Sequence, residues 1–159
     1  MAAETLTSTQ AAATFPVYRP TGAGLLAVSR GTYDVAANVE DGDIFEMSKV
    51  CKDALVVHGW LYADDLDTGT EALDMDIGWA ANGEESADPD GFGNLGVWSG
   101  DAVTDIKPET GISMPFGGVL ISTGSQSFTA ETTIQVEANT AANSFAAGQM
   151  TTLAFYTVA

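Results

Sequence analysis

The stretch "ALDMDIGWA", residues 72–80, decides the fold class of this chain. Apolar and small or acidic side chains alternate strictly along it: Leu73, Met75, Ile77 and Trp79 on one side, Asp74, Asp76 and Gly78 on the other. Because successive side chains of a β-strand point to opposite faces of the sheet, this alternation predicts a strand with one buried and one solvated face. The stretch "SFTAETTIQVEA", residues 127–138, alternates in the same way and predicts a second half-buried antiparallel strand.

Five further runs predict strands of weaker alternation. They are rich in β-branched and aromatic residues, are separated by Gly, Asp and Asn clusters, and cover residues 25–35, 43–50, 54–63, 117–122 and 150–158. Seven short strands with this punctuation predict an all-β fold, an antiparallel β-sandwich that is jelly-roll-like. The segment "EDGD", residues 40–43, has the chemistry of a tight turn and predicts a hairpin between 25–35 and 43–50.

Two segments fall outside this strand pattern. Residues 1–24 are rich in Ala, Thr and Ser and contain Pro16 and Pro20, which predicts an extended N-terminal arm that is ordered only against another surface. Residues 83–112 are polar and rich in Gly, which predicts a loop excursion, and 96–106 within it has the composition of a short helix. Residues 25–159 then form a single domain, and a chain of this length buries roughly 70% of its unfolded surface.

The charge of the chain narrows the classes of partner. Its 22 acidic and 5 basic residues give a formal net charge of −17. The bases Arg19, Arg30, Lys49, Lys52 and Lys107 are spread along the sequence and form no basic stripe. We therefore expect neither nucleic acid nor an anionic membrane as a partner, and basic protein surfaces or divalent cations are favoured instead.

The sequence indicates neither export nor membrane insertion. Its first residues have no basic segment followed by an apolar one, and no run reaches the roughly 18 apolar residues of a membrane span. We expect a soluble protein that is made in a cytoplasm.

The tetrapeptide Asp67-Thr68-Gly69-Thr70 is of the kind that carries the catalytic aspartate of aspartic proteases. Such an enzyme holds two aspartates together so that they share one proton. This chain has no second tetrapeptide of that kind, so only a homodimer would complete the pair, and Asp64 and Asp65 crowd the position with further acids. The sequence favours a hairpin loop between 54–63 and 72–80 over a protease.

The other candidate site residues are better explained by structure than by chemistry. Asp88, Asp90 and Asn94 offer oxygens to calcium, but the spacing fails the EF-hand pattern, which favours a solvated acidic turn and leaves weak calcium binding open. His58, the only histidine, is interpreted as a core or rim residue of a strand rather than a general base. Cys51, the only cysteine, is interpreted as a buried, inert thiol.

No motif of an enzyme site is present in the sequence. There is no G-x-S-x-G elbow, no phosphate-binding glycine loop and no His or Cys pair at metal spacing. We therefore predict no catalytic residues, no cofactor, no metal ligands and no enzymatic activity.

Aromatic residues leave one binding function open. Stacking on a carbohydrate is conceivable for Trp60, Tyr62, Trp79, Phe92 and Trp98, although most sandwiches place such rings in the core.

Two long segments of the chain resemble a family of small structural proteins of tailed bacteriophages. Residues 39–79, "VEDGDIFEMSKVCKDALVVHGWLYADDLDTGTEALDMDIGW", have its pattern of an Asp-Gly-Asp turn, a short apolar strand, a polar turn, an apolar strand ending in acids and an alternating strand. Residues 132–158, "TTIQVEANTAANSFAAGQMTTLAFYTV", resemble its closing hairpin. The resemblance implies a virion component, a head decoration or cement protein that stabilises the lattice of the major capsid protein, commonly as a homotrimer.

A decoration role would explain both the N-terminal arm and the acidic surface. Phe15, Tyr18 and Arg19 are the predicted capsid-contact residues of the arm, whose ordering would occur on a pre-formed lattice. An acidic outer surface would keep a densely covered capsid soluble. The alternative function is a tail- or fibre-associated module that binds glycan.

Overall fold

The computed structural model describes residues 3–21, 24–68, 70, 72–97 and 111–158. Within these ranges the chain forms ten strands and one short helix. In chain order they are β1 (Thr5–Thr7), β2 (Ala27–Val35), β3 (Ile44–Val50), β4 (Ala54–Asp64), β5 (Asp74–Trp79), β6 (Asp88–Val97), β7 (Gly111–Pro115), α1 (Val119–Thr123), β8 (Gln126–Ser127), β9 (Thr132–Thr140) and β10 (Gly148–Val158).

The strands form two sheets that pack face to face. The first sheet has the order β1-β3-β9-β5-β6, and the second has the order β2-β10-β4-β7 with β8 paired to the start of β4. The pairing of β1 with β3 is parallel, and the other pairings are antiparallel. The predicted all-β antiparallel sandwich is therefore confirmed.

Consecutive strands from β2 to β5 lie in alternate sheets, which overturns both predicted hairpins. A turn is present at 40–43, where the Asp43 amide donates to the Glu40 carbonyl and Gly42 has a φ of 85°. However, β2 pairs with β10 whereas β3 pairs with β1 and β9. The connection from β4 to β5 likewise crosses between the sheets. The chemistry of a turn is local, but the choice of the paired strand is made by distant residues.

The strand β6 brings part of the predicted excursion into the first sheet as its edge. Its register against β5 jumps between Ile77 and Trp79, so that Pro89 to Phe92 form a wide bulge. A Cβ atom on Gly78 would overlap the backbone of Asp88 and Pro89, so glycine allows the bulge to lie over β5. Gly78, on the face of β5 that was predicted to be solvated, is consequently covered, and Asp76 on that face is buried as well. The predicted helix at 96–106 lies mostly outside the described residues.

The prediction of a strand at 117–122 is wrong, because this segment begins the helix α1. Gly118 has a φ of 53° at the helix start, and Gly124 closes the helix in the left-handed region by donating to the Leu120 carbonyl. These two glycines override the β-propensity of the residues between them. Within the described residues, no helix is long and apolar enough to cross a membrane.

The predicted strand at 127–138 is divided between the two sheets. Gln126 and Ser127 form β8 in the second sheet, and after a bend β9 begins at Thr132 in the first. Along β9 Ile134 and Val136 are buried as predicted, but Gln135, which was predicted to face solvent, is buried as well.

The core lies between the two sheets and has an aromatic cluster near the β6 edge. Trp79 meets Phe92 edge-on at 4.9 Å between ring centroids, and Phe92 stacks on Phe116 at 5.0 Å. Phe128 meets Trp79 at 5.4 Å, and the Trp79 indole donates to the Ser86 carbonyl at 3.1 Å. Such offset and edge-on contacts stabilise a core beyond their buried area.

Part of the predicted N-terminal arm is a strand of the sandwich. Thr5 to Thr7 pair with Ile44 to Glu46, and the following Ser8 hydroxyl donates to the Met47 carbonyl. Ala11 is buried, and its amide bonds to Ser8. The first half of this arm is thus ordered by its own chain.

Candidate interaction surface

The three predicted contact residues lie in the second half of the arm, where it crosses from the first sheet to the start of β2. Phe15 is 40% exposed and Tyr18 is 63% exposed. Arg19 is also exposed, although its guanidinium is engaged within the chain. The aromatic side chains are therefore accessible while the backbone beneath them is held.

Three contacts hold this half of the arm. The Tyr156 hydroxyl donates to the Tyr18 carbonyl at 2.6 Å. The Arg19 guanidinium donates to the Lys52 carbonyl at 2.7 Å and pairs with the Asp53 carboxylate at 3.0 Å. Burial raises the pKa of Tyr156 to about 12, with smaller contributions from Cys51 and Tyr18, so the phenol keeps the proton that it donates.

A shallow groove separates the arm from the second sheet. It is lined by Phe15, Tyr18, Val28, Arg30, Lys49 and Tyr156, among others. Its floor is formed by the start of β2 and the end of β3, and its wall is formed by the arm. The groove brings exposed apolar atoms and two cations together.

Sequence reasoning missed other exposed apolar residues close to this groove. Leu25 and Leu26 directly precede β2, Val28 is its second residue, and Val57 lies near the start of β4, from which β10 separates β2. Val57 is displaced outward by a bulge, since the register of β4 against β10 shifts between Phe155 and Tyr156. The doubled leucine at the start of a strand was the available signal, because an alternating strand has no need for two adjacent apolar residues.

Asp67 has a structural role that the local sequence did not indicate. The side chain is only 1% exposed. One carboxylate oxygen accepts from the Ala72 and Leu73 amides at 2.6 and 2.9 Å, and the other accepts from the Ser144 amide at 2.6 Å. Burial disfavours the charge, but these amide donors outweigh burial and lower the pKa of Asp67. Both oxygens are thus used to join the β4–β5 and β9–β10 connections.

Three acidic side chains meet on the outer face of the first sheet. Asp76 lies opposite Glu137 in register, and Asp74 is two residues away on β5. Asp76 is 6% exposed, and one carboxylate oxygen of Asp76 and of Asp74 is buried without a hydrogen-bond partner among the described residues. Burial, and next the charge of Asp76, raise the pKa of both Asp74 and Glu137. These carboxylates repel one another at neutral pH.

Asp88, Asp90 and Asn94 do not lie in the predicted acidic turn, because all three residues belong to the strand β6. Burial, followed by contact with Asp90, raises the pKa of Asp88. The Asn94 side chain accepts from the Gly96 amide at 3.1 Å. In the described part of the chain, no three His, Cys, Asp or Glu side chains are arranged to hold a metal ion.

His58 lies exposed on the outer face of the second sheet, not in the core. Its ring stacks on Phe155 at 6.0 Å and meets Trp60 edge-on at 5.7 Å. Trp60 in turn stacks on Tyr62 at 6.1 Å with an interplanar angle of 17°. An aromatic row therefore runs along the outside of β4.

The remaining aromatic and thiol candidates have separate locations. Trp79 and Phe92 are buried in the core, and Trp98 lies outside the described residues. Cys51 is buried as predicted, and burial raises the pKa of its thiol against the opposing charge of Arg19.

The sandwich has the fold of chains found in phage capsid structures. Three solved structures of this class are similar to it over most of both chains. At sequence identities below 20%, this likeness establishes a shared fold. No protein-family model matches the chain, and no curated protein matches it by sequence.

The first of these structures is the capsid of Ralstonia phage GP4, with a TM-score of 0.72, 19% identity and coverage of 98% of each chain. The second is the capsid asymmetric unit of cyanophage Pam1, with a TM-score of 0.64, 18% identity and coverage of 93% of this chain and 96% of that one. The third is the capsid of Helicobacter pylori bacteriophage KHP30, with a TM-score of 0.57, 11% identity and coverage of 85% and 89%.

Proposed function

We propose that this protein is a non-enzymatic structural component of a bacteriophage virion, and more narrowly a decoration or cement protein on the capsid surface. The observation that carries the proposal is the fold, which is similar over almost the whole chain to chains of phage capsids. The two segments at 39–79 and 132–158 that resemble phage structural proteins support it independently of the fold. The protein would be made in the host cytoplasm and would act on the assembled shell.

The mechanism is the addition of buried surface to the lattice of the major capsid protein. A protein interface of ordinary size buries about 1,600 Å² in total. Repeated at every equivalent lattice position, such an interface resists internal pressure without any single contact being strong. A homo-oligomer, with a trimer favoured, would bridge several capsid subunits at a symmetry axis.

The arm supplies the contact in this proposal. Phe15 and Tyr18 present accessible rings above a backbone that Tyr156, Lys52 and Asp53 hold. Such a surface needs little ordering on binding, and aromatic residues are enriched at protein interfaces.

The test is co-sedimentation of the purified protein with phage heads that lack it. We expect saturable binding of the wild type and loss of binding on combined Phe15→Ala and Tyr18→Ala substitution, which leaves the Tyr18 carbonyl in place for Tyr156. The control is Tyr62→Ala, which removes an exposed ring from the aromatic row of β4. Equal binding by the arm variant would refute the arm contact, and absence of wild-type binding would refute the capsid role.

The aromatic row of β4 favours one alternative, a tail- or fibre-associated module that binds glycan. Trp60 and Tyr62 lie side by side on an outer face, as stacking on a sugar requires. A glycan array with wild type and Tyr62→Ala tests this alternative. A signal that Tyr62→Ala abolishes supports it, and an empty array removes it.

A further inference from the structure

The basic residues are scattered in sequence but gathered in space. Arg19 lies on the arm, Arg30 on β2, Lys49 at the end of β3 and Lys52 in the turn that follows. In register, the start of β2 and the start of β4 meet the end of β10, which places these elements at one end of the sandwich. This end, called the basic end below, thus holds all four cations of the described part of the chain, since the fifth base, Lys107, lies outside it. It also carries Asp53 and Glu131, which pair with two of the cations, and Glu85 and Asp88 lie at the same end toward the β6 edge.

The opposite end of the sandwich is acidic. Asp34 is the penultimate residue of β2, Asp64 ends β4, and Asp43 precedes β3. Glu40, Asp41 and Asp65 lie in the adjoining connections. Among the described residues, no lysine or arginine lies at this end. The described cations are therefore confined to one end of the sandwich, and the other end carries only acidic charged side chains.

Exposed apolar side chains are concentrated at the basic end. Of the eight large apolar residues that are exposed in the described ranges, six lie there: Phe15, Tyr18, Leu25, Leu26, Val28 and Val57. Aromatic residues and arginine are enriched in protein interfaces, whereas exposed apolar residues on a solvated surface are usually scattered. Charge and apolar area thus coincide on one surface.

Part of the positive charge at this end remains unpaired. Arg19 pairs with Asp53 at 3.0 Å, and Lys49 pairs with Glu131 at 3.2 Å. Arg30 and Lys52 are exposed and form no ion pair among the described residues. Two free cations are too few to track a phosphate backbone, but they suffice to select an acidic protein surface.

We infer that the basic end is the docking surface of this protein and that its occupant is an acidic, partly apolar surface of the capsid shell. The inference rests on the proposed function and names the chemistry of the partner surface. The uneven charge would orient the approaching molecule, because an acidic partner repels the acidic end most strongly and attracts the free cations Arg30 and Lys52 at the other end. Once docked, the acidic end faces solvent.

Charge reversal with a matched control tests the inference on phage heads. Arg30→Glu and Lys52→Glu each change the net charge by −2 at the basic end. The combined Ala36→Glu and Ala37→Glu substitution changes it by the same amount at the acidic end, where both alanines are exposed. We expect each reversal to weaken head binding by about tenfold or more and the control to bind within about twofold of wild type. We also expect wild-type affinity to fall as salt is raised.

The outcomes separate the inference from the function on which it rests. If the wild type binds heads and Arg30→Glu and Lys52→Glu bind as well as the control variant, the docking surface is refuted and the capsid role is retained. Failure of the wild type to bind heads overturns both. Sedimentation of the free protein is the remaining check. Salt-sensitive self-association that is lost in Lys52→Glu would show that the basic end binds a second copy of this chain. That result would refute docking on the shell.

Discussion

A single buried carboxylate joins two distant connections of the sandwich. The Asp67 carboxylate accepts hydrogen bonds from two backbone amides of the β4–β5 connection, those of Ala72 and Leu73, and from the Ser144 amide of the β9–β10 connection. Asparagine has nearly the same shape but carries no charge and replaces one acceptor by a donor. We expect Asp67→Asn to lower the free energy of unfolding by about 2–3 kcal/mol in urea denaturation, whereas the exposed control Asp41→Asn changes it by less than about 0.5 kcal/mol.

The pH dependence of the Asp67 contribution to stability follows from the direction in which its pKa is shifted. The pKa of Asp67 is lower in the folded chain than its ordinary value, so its contribution is present above the unfolded value, about pH 4, and is lost as the pH falls through the folded pKa. The difference in stability between wild type and Asp67→Asn should therefore shrink below about pH 4. A difference that is constant down to strong acid would contradict the role of the charge.

Asp74, Asp76 and Glu137 on the first sheet should change stability with pH in the direction opposite to Asp67. The pKa values of Asp74 and Glu137 are raised by burial and by Asp76, so the folded chain takes up protons there before the unfolded chain does. Their protonation stabilises the fold as the pH falls through the raised values. We expect Asp76→Asn to raise the free energy of unfolding at pH 7 by roughly 1 kcal/mol, and by less in mild acid. A loss of stability at pH 7 would show that the Asp76 charge is compensated in the folded chain.

At the scale of the elements, one glycine sets the distance between β2 and β3. A Cβ atom at Gly31 would overlap the Met47 carbonyl across the interface between the two sheets. We expect Gly31→Ala to cost about 2–3 kcal/mol of stability, because backbone atoms must separate. The neighbouring Thr32→Ala, on the outer face of β2, should cost less than about 1 kcal/mol in the same thermal or urea melts.

The arm and β10 are joined by the hydroxyl of Tyr156. We expect Tyr156→Phe to cost about 1 kcal/mol and to speed hydrogen exchange in residues 15–21, because the Tyr18 carbonyl loses its donor. Since the folded pKa of Tyr156 is raised to about 12, its contribution is present below the unfolded value near pH 10 and is lost as the pH rises from there. Unchanged hydrogen exchange of residues 15–21 in Tyr156→Phe would show that this hydrogen bond does not hold the arm.

At the scale of the whole molecule, salt should act in opposite directions on folding and on docking. A net charge of −17 repels itself in the compact state, so we expect the Tm to rise between about 20 and about 500 mM NaCl. Attachment to heads should weaken over the same range, because the basic end attracts an acidic surface. A Tm that falls with salt would mean that attractive ion pairs outweigh the self-repulsion.

Much of the fold class could be predicted from local patterns. The alternation at 72–80 defines which side chains of β5 face the core, because a strand repeats every two residues regardless of its partners. The flanking glycines of α1 were visible too, but the apolar run between them favoured a strand. The candidate contact residues of the arm were named from their residue types, and their accessibility came only from the structure.

The sequence by itself determined the all-β character, the core-facing residues of the clearest strands and the excess of negative charge, because each of these depends on residue type and short-range periodicity. Only the tertiary structure decided which sheet each strand joins, that Asp67 is buried among amides, and that Arg19, Arg30, Lys49 and Lys52 meet at one end. The physical reason is that strand pairing joins residues far apart in the chain, and no local pattern encodes the choice among several compatible edges.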